Sequence, residues 1–207
     1  LHWMVHSFPT RRSSDLVSYA GVTHVLPDPF FVLATQNPLE QAGTYPLPEA
    51  QLDRFLLHVR VDYPSEAEER SILQQTTGVK ASVVPQVMQA DTIRSLQKLV
   101  REVHVSDDLL NWINRIVRAS RPQESGSKEI QSWVKWGAGP RAGQALVLAS
   151  KARALIQGRF AATRDDVKAL AAPVLRHRLL LTFVAEAEQK SADDVVAVLL
   201  NSVPFPA

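Results

Sequence analysis

Hydrophobic and polar positions fall into two regimes along the chain. Up to about Tyr63 the apolar residues come in short runs cut by turn residues, and from Pro64 they recur at helical spacing. Residues 17–25 predict a strand or hairpin turning at Gly21, which Pro27-Asp28-Pro29 ends. Phe30-Phe31-Val32-Leu33-Ala34-Thr35 is a continuous apolar run, expected as a strand buried on both faces of a parallel sheet. Gln36-Asn37-Pro38 stops it with a polar tip. A loop with Gly43, Pro46 and Pro48 follows, then a short helix around residues 49–53 and an alternating strand over residues 56–61.

Beyond Pro64 the signals are helical. Ser65 with Glu68 forms a capping box that opens a helix over about 66–75. Ile93, Leu96, Leu99 and Val100 mark an amphipathic helix over 91–103. Ser106 caps a third helix carrying Leu109, Leu110, Ile113 and Val117, and residues 121–127 are polar enough to be a loop. Pro140 opens a fourth helix, where its missing N–H costs nothing, with Ala142, Ala145, Leu146 and Ala149 as a small-residue face. Thr163 with Asp166 starts a fifth helix and Ser191 with Asp194 a last one, with residues 179–187 between them expected to be extended. The prediction is an α/β fragment to about Tyr63 followed by a mostly helical domain.

Composition adds constraints. Of 207 residues, 45% are hydrophobic and 21% charged, as in ordinary globular proteins, and no apolar run is long enough to span a bilayer. The absence of cysteine excludes disulfides and thiolate chemistry and fits a reducing cytoplasm. The charge of +2 is well mixed. Its densest basic cluster, Arg176-His177-Arg178, reads as the polar end of a helix, so no nucleic-acid partner is expected. His24, His58, His104 and His177 are dispersed, and no metal site is expected. Trp3, Trp112, Trp133 and Trp136 are most simply core or interface residues.

Residues 1–16 stand apart. Residues 6–16 are polar, lack periodicity and precede the first clear strand pattern, as a disordered leader would, and a targeting peptide fits poorly without an adequate apolar stretch. The string from His6-Ser7-Phe8-Pro9-Thr10 through Arg11-Arg12-Ser13-Ser14-Asp15-Leu16 resembles the in-frame translation of a sequencing-adapter oligonucleotide. Residues 1–16 are therefore expected to be a non-native or disordered leader, with the native sequence starting near Val17.

Residues 30–55, through Thr35-Gln36-Asn37-Pro38 and Gly43-Thr44-Tyr45-Pro46 to Leu52-Asp53-Arg54-Phe55, closely resemble the MoxR family of AAA+ ATPases. Gly137-Ala138-Gly139-Pro140-Arg141-Ala142 and Val174-Leu175-Arg176-His177-Arg178-Leu179 resemble it too, in the expected order. The resemblance implies that residues 17–63 are the C-terminal part of an AAA+ P-loop NTPase core and residues 64–207 an α-helical lid domain.

It also implies three site residues. Asn37, at the carboxyl tip of a strand where ligands of α/β sheets collect, would be sensor 1, an amide that orients the attacking water. The local alternative is a residue that only ends the strand. Arg54 would be an arginine finger reaching the γ-phosphate held by a neighbouring subunit; the alternative is a local pair with Asp53 or Glu49. Arg141 would be sensor 2, a nucleotide-binding contact in cis. A solvated arginine in the first turn is the alternative, although the helix dipole disfavours a cation there.

No G-x-x-x-x-G-K-[ST] and no apolar run ending in Asp-Glu occurs in the sequence. These motifs would supply the phosphate cradle and the Mg²⁺ ligands. Asp62 follows a strand but has no Glu after it and lies on the wrong side of Asn37. The chain is thus expected to be a fragment, inactive alone, of an ATPase that binds ATP and Mg²⁺ when complete. The complete protein is expected to be cytoplasmic and to form a homo-oligomeric, hexameric ring acting as a chaperone, with von Willebrand A-domain proteins as candidate partners. The rival readings are a chelatase- or helicase-type AAA+ subunit and a non-catalytic lid module.

Overall fold

A computed structural model describes residues 2–6, 16–36, 47–78 and 84–206. The first part is β-rich. Strands β2 (Leu16–Tyr19) and β3 (Val22–Val25) form an antiparallel hairpin. Ala20 and Gly21 turn it with φ of 50° and 80°, the positive values that a two-residue hairpin loop needs. A three-stranded sheet has the order β4-β1-β5, with β4 spanning Val32–Gln36 and β5 spanning Phe55–Arg60. Its central strand β1 (His2–His6) comes from the segment expected to lie outside the fold and runs antiparallel to both neighbours. Two strand edges with unpaired backbone groups accept a third strand readily, whatever its sequence.

The expectation of a strand buried on both faces does not hold. Phe30 and Phe31 precede β4 and are 47% and 54% exposed, and Leu33 within it is 50% exposed. A continuous apolar run signals burial only if layers cover both faces, and no described helix shuts off this strand.

Helix α1 (Glu49–Leu52) leads through Asp53 and Arg54 into β5. The predicted Ser65–Glu68 capping box is present at the start of α2 (Glu66–Thr76). Neither α2 nor α3 (Ala90–Glu102) has a buried residue. The apolar stripe of α3 is real, but Ile93, Leu96 and Leu99 remain half-exposed.

The well-packed core lies further on. Helix α4 (Asp107–Ala119), capped by Ser106 as expected, buries Leu109, Trp112, Ile113, Ile116 and Val117. They meet the small-residue face of α6 (Pro140–Ile156), then α7 (Arg164–Leu175) and α9 (Ala192–Ser202). The Trp112 indole donates to Val203 O at 2.7 Å, so this tryptophan is core as expected. Trp136 is 67% exposed and lies outside that core.

Two elements depart from the sequence reading. Helix α5 (Lys128–Trp133) follows a polar stretch and was not anticipated; it leads into β6 (Val134–Trp136). The segment expected to be extended gives only a two-residue strand, β7 (Leu180–Leu181), paired with β6. It then becomes helix α8 (Phe183–Ala187), because the Thr182 hydroxyl accepts from Ala185 N and starts a turn. No helix among the described residues is long and apolar enough to cross a membrane.

Candidate functional site

The candidate site forms where two turns meet. The first is the Asp53-Arg54 turn between α1 and β5, closed by Asp53 N donating to Glu49 O and Arg54 N to Gln51 O. The second runs from Gly137 to Gly139 and delivers Pro140 to the first position of α6.

That second turn is clamped to the end of α4. Ala138 N donates to Ser120 Oγ at 2.9 Å, and Arg121 Nε donates to Ala138 O at 3.2 Å. Gly137 passes so close that an added Cβ would stand 2.4 Å from Ser120 O and 2.7 Å from Arg121 Cα, both backbone atoms. No other residue fits without moving the turn. Arg141 is therefore fixed in the first turn of α6 and points back to the first turn, where its Nη1 donates to Asp53 Oδ2 at 3.2 Å. The Arg141 side chain is 45% exposed and that of Asp53 27%.

The other carboxylate oxygen of Asp53 meets a different arginine. Arg178 Nε donates to Asp53 Oδ1 at 3.0 Å, and Arg178 Nη2 donates to Asp53 O at 3.0 Å and to Phe55 O at 2.5 Å. Its Nη1 serves Leu56 O at 3.4 Å and also Val174 O. The side chain is 1% exposed, although Arg178 belongs to the polar helix end that the sequence predicts. A buried guanidinium persists because a carboxylate and backbone carbonyls satisfy its donors. Burial pushes its pKa down and Asp53 opposes that shift.

The neighbouring residues complete the seam between β5 and the helical part. His177 shares Phe55 O through Nε2 at 3.1 Å. Burial and the Arg178 charge hold the imidazole at about 3, well below its usual range, so it is neutral and Nε2–H is the donor. Arg176 Nη1 donates to His58 O at 3.1 Å, and its Nε donates to Asp193 Oδ1 at 2.9 Å. Backbone oxygens of β5 at Phe55, Leu56 and His58 thus accept from three consecutive side chains of a 3-10 turn, Arg176–Arg178.

Of the expected site residues, Arg54 is exposed, and among the described residues no side-chain hydrogen bond or ion pair holds it. Asp53, its suggested local partner, is taken up by Arg141 and Arg178. Asn37 lies outside the described residues. Asp53, expected only as a local partner of Arg54, and Arg178, expected only as part of a polar helix end, both stand inside the stretches that carry the resemblance. No local pattern marks them, because their contacts join positions 125 residues apart.

The fit to a polyphosphate rests on Arg141. A guanidinium at a helix N-terminus already holds one anionic oxygen, and both the fork and the helix end suit a phosphate. Among the described residues no group of three or more His, Asp or Glu side chains is placed to hold a metal ion.

Comparison with known proteins gives concordant matches. Residues 12–57 match the family described as ATPase family associated with various cellular activities (AAA), and residues 126–198 match the AAA lid domain. The chain is 40% identical to the chaperone MoxR1 of Mycobacterium tuberculosis over 92% of its own length and 50% of that protein. It is 39% identical to YeaC of Bacillus subtilis over 92% of its length and 57% of that protein. A crystal structure of a candidate ATPase from Cytophaga hutchinsonii superposes with a TM-score of 0.86 at 32% identity, covering 93% of this chain and 59% of the other. The chain spans 50% to 59% of the length of these relatives.

Proposed function

The chain belongs to the MoxR family of AAA+ ATPases, and on that premise we propose that it supplies the sensor and arginine-finger side of an ATP-hydrolysing site that drives chaperone-like remodelling of partner proteins. The observation that carries this reading is the Arg141 guanidinium, presented at the start of α6 against the Asp53 carboxylate, with exposed Arg54 next to that residue in sequence. In this reading Arg141 contacts nucleotide phosphates in cis. Arg54 reaches the γ-phosphate held by a neighbouring subunit, and Asn37 orients the attacking water. A guanidinium suits both arginine roles because it stays charged and forks two donors toward phosphate oxygens. ATP with Mg²⁺ supplies the phosphoryl group when bound. The site belongs to a cytoplasmic, hexameric ring, for which von Willebrand A-domain proteins are the proposed partners.

The 207 residues contain no phosphate-cradle motif, so the chain by itself is proposed to be inactive. The test joins it behind a segment carrying G-x-x-x-x-G-K-[ST] and the Asp-Glu strand. That protein should hydrolyse ATP, and Arg54→Ala should cost about 10³-fold or more in turnover while sparing nucleotide binding. Unchanged turnover rejects the finger role. ATP turnover by the purified 207-residue chain, free of contaminants, rejects its proposed inactivity.

A further inference from the structure

Asp53 divides its carboxylate between two arginines in opposite situations. Toward Arg178 the contact is double, through Oδ1 and the backbone oxygen, and the guanidinium is buried with further carbonyl partners. Releasing it would strand a charge without solvent, so this half of the contact is permanent. Toward Arg141 the contact is a single 3.2 Å bond to Oδ2, and the arginine side chain is 45% exposed. Pairs of this kind contribute little and exchange easily.

The helix end sharpens the contrast. Arg141 is a cation in the first turn of α6, where the backbone dipole favours negative charge, and the Gly139 cap brings no side chain to that end. An anion nearby compensates for the misplaced cation, and Asp53 is that anion. A polyphosphate carries more charge than one carboxylate and offers several acceptors to the same guanidinium and the same helix end. Asp53 itself cannot follow, because Arg178 pins it.

We propose that Asp53 is a positioning residue for Arg141: a fixed carboxylate that parks the guanidinium when no phosphate is present and gives it up to an oligophosphate. This rests on the reading of Arg141 as a phosphate contact and deepens it. Phosphate affinity at Arg141 is then set by competition with Asp53, and removing the carboxylate tightens binding rather than weakening it.

The test titrates the 207-residue chain with inorganic tripolyphosphate while side-chain resonances of Arg141 and Arg178 and the Asp53 carboxyl carbon are followed by NMR. The Arg141 and Asp53 signals should move together, and those of Arg178 should stay. Asp53→Asn keeps an acceptor for Arg178 Nε and should bind tripolyphosphate about two- to fivefold tighter, the factor expected from losing an exposed ion pair. A purely structural role for Asp53 predicts no tightening. If Asp53→Asn does not fold, the wild-type titration decides: Arg141 moving without Asp53, or not moving, overturns the proposal. Arg141→Ala that keeps full tripolyphosphate affinity removes the phosphate-contact reading and the proposal with it. Arg141→Ala that weakens binding, beside a folded Asp53→Asn that does not tighten it, removes the proposal alone.

Discussion

Arg178 and Asp53 are joined twice although 125 residues separate them: Nε donates to the carboxylate and Nη2 to the backbone oxygen, each at 3.0 Å. The pair closes the seam between the last strand of the sheet and the helical part. Half of it is buried, so its two members depend on each other in a way that exposed ion pairs do not.

Arg178→Met removes the donors to Asp53 Oδ1, Asp53 O, Leu56 O and Val174 O together, while Phe55 O keeps the His177 Nε2 contact. The expected cost is about 3–5 kcal/mol of stability, read as a shift of the urea midpoint. Arg178→Lys should recover only part of it, since an ammonium lacks the planar fork. A loss below about 1 kcal/mol, typical of a surface pair, would show that the seam does not depend on this residue.

Gly137→Ala should destabilise the chain by about 1–3 kcal/mol, because the new Cβ meets backbone at 2.4 Å rather than a flexible side chain. Gly139→Ala two residues on should change stability by less than about 0.5 kcal/mol, since nothing stands within 4 Å of its Cβ. Thermal unfolding of the two variants side by side is the check, and equal effects would contradict the close passage at Ser120.

Mild acid should weaken the fold through His177. Its folded pKa, about 3, lies below the ordinary 6.5, so the unfolded chain binds the extra proton. The stability from keeping it neutral is fully present above 6.5 and is lost as pH falls from there toward 3, by up to about 1.4 kcal/mol per unit. Arg178, His58 and Asp53 are the charged or titratable groups acting on it. His177→Gln should flatten the pH dependence between 6.5 and 4; an unchanged slope would place the sensitivity elsewhere.

Asp166 anchors the start of α7. Its side chain is fully buried and accepts from Arg153 at 2.5 Å, from Arg159 at 2.6 Å and from Thr163 N at 2.8 Å. Burial raises its pKa, but hydrogen bonds from Arg159, Thr163 and Arg153 outweigh that and hold the carboxyl well below the usual range. Its contribution is present above the ordinary value and lost only in stronger acid, so it adds no slope between pH 5 and 7. Asp166→Ala should cost about 3–5 kcal/mol in denaturant unfolding at neutral pH, and a loss near zero would show that water replaces the carboxylate there.

Much of the helical part was legible because its signals are local. Ser65 with Glu68, Ser106, Thr163 with Asp166 and Ser191 with Asp194 each cap a helix within a few residues of where the pattern places it. The exposure of β4 was not, since the same apolar run describes a covered or an uncovered strand. Residues 179–187 read as extended because three leucines in a row outweighed one threonine, yet the Thr182 hydroxyl sets the turn. Arg141 stands in the first turn of α6, as its place after Pro140 predicts, but its anionic partner lies 88 residues away and no periodicity points to it.

The side chains of Arg176, His177 and Arg178 take up backbone oxygens of β5 and tie that strand to the helices at its back. Force applied to the helical part is therefore transmitted directly to β5 and the Asp53-Arg54 turn. A cleavage at Pro64 would not release an independent lid: the severed strand would stay docked, as the two pieces of a nicked protein do, until denaturant freed it.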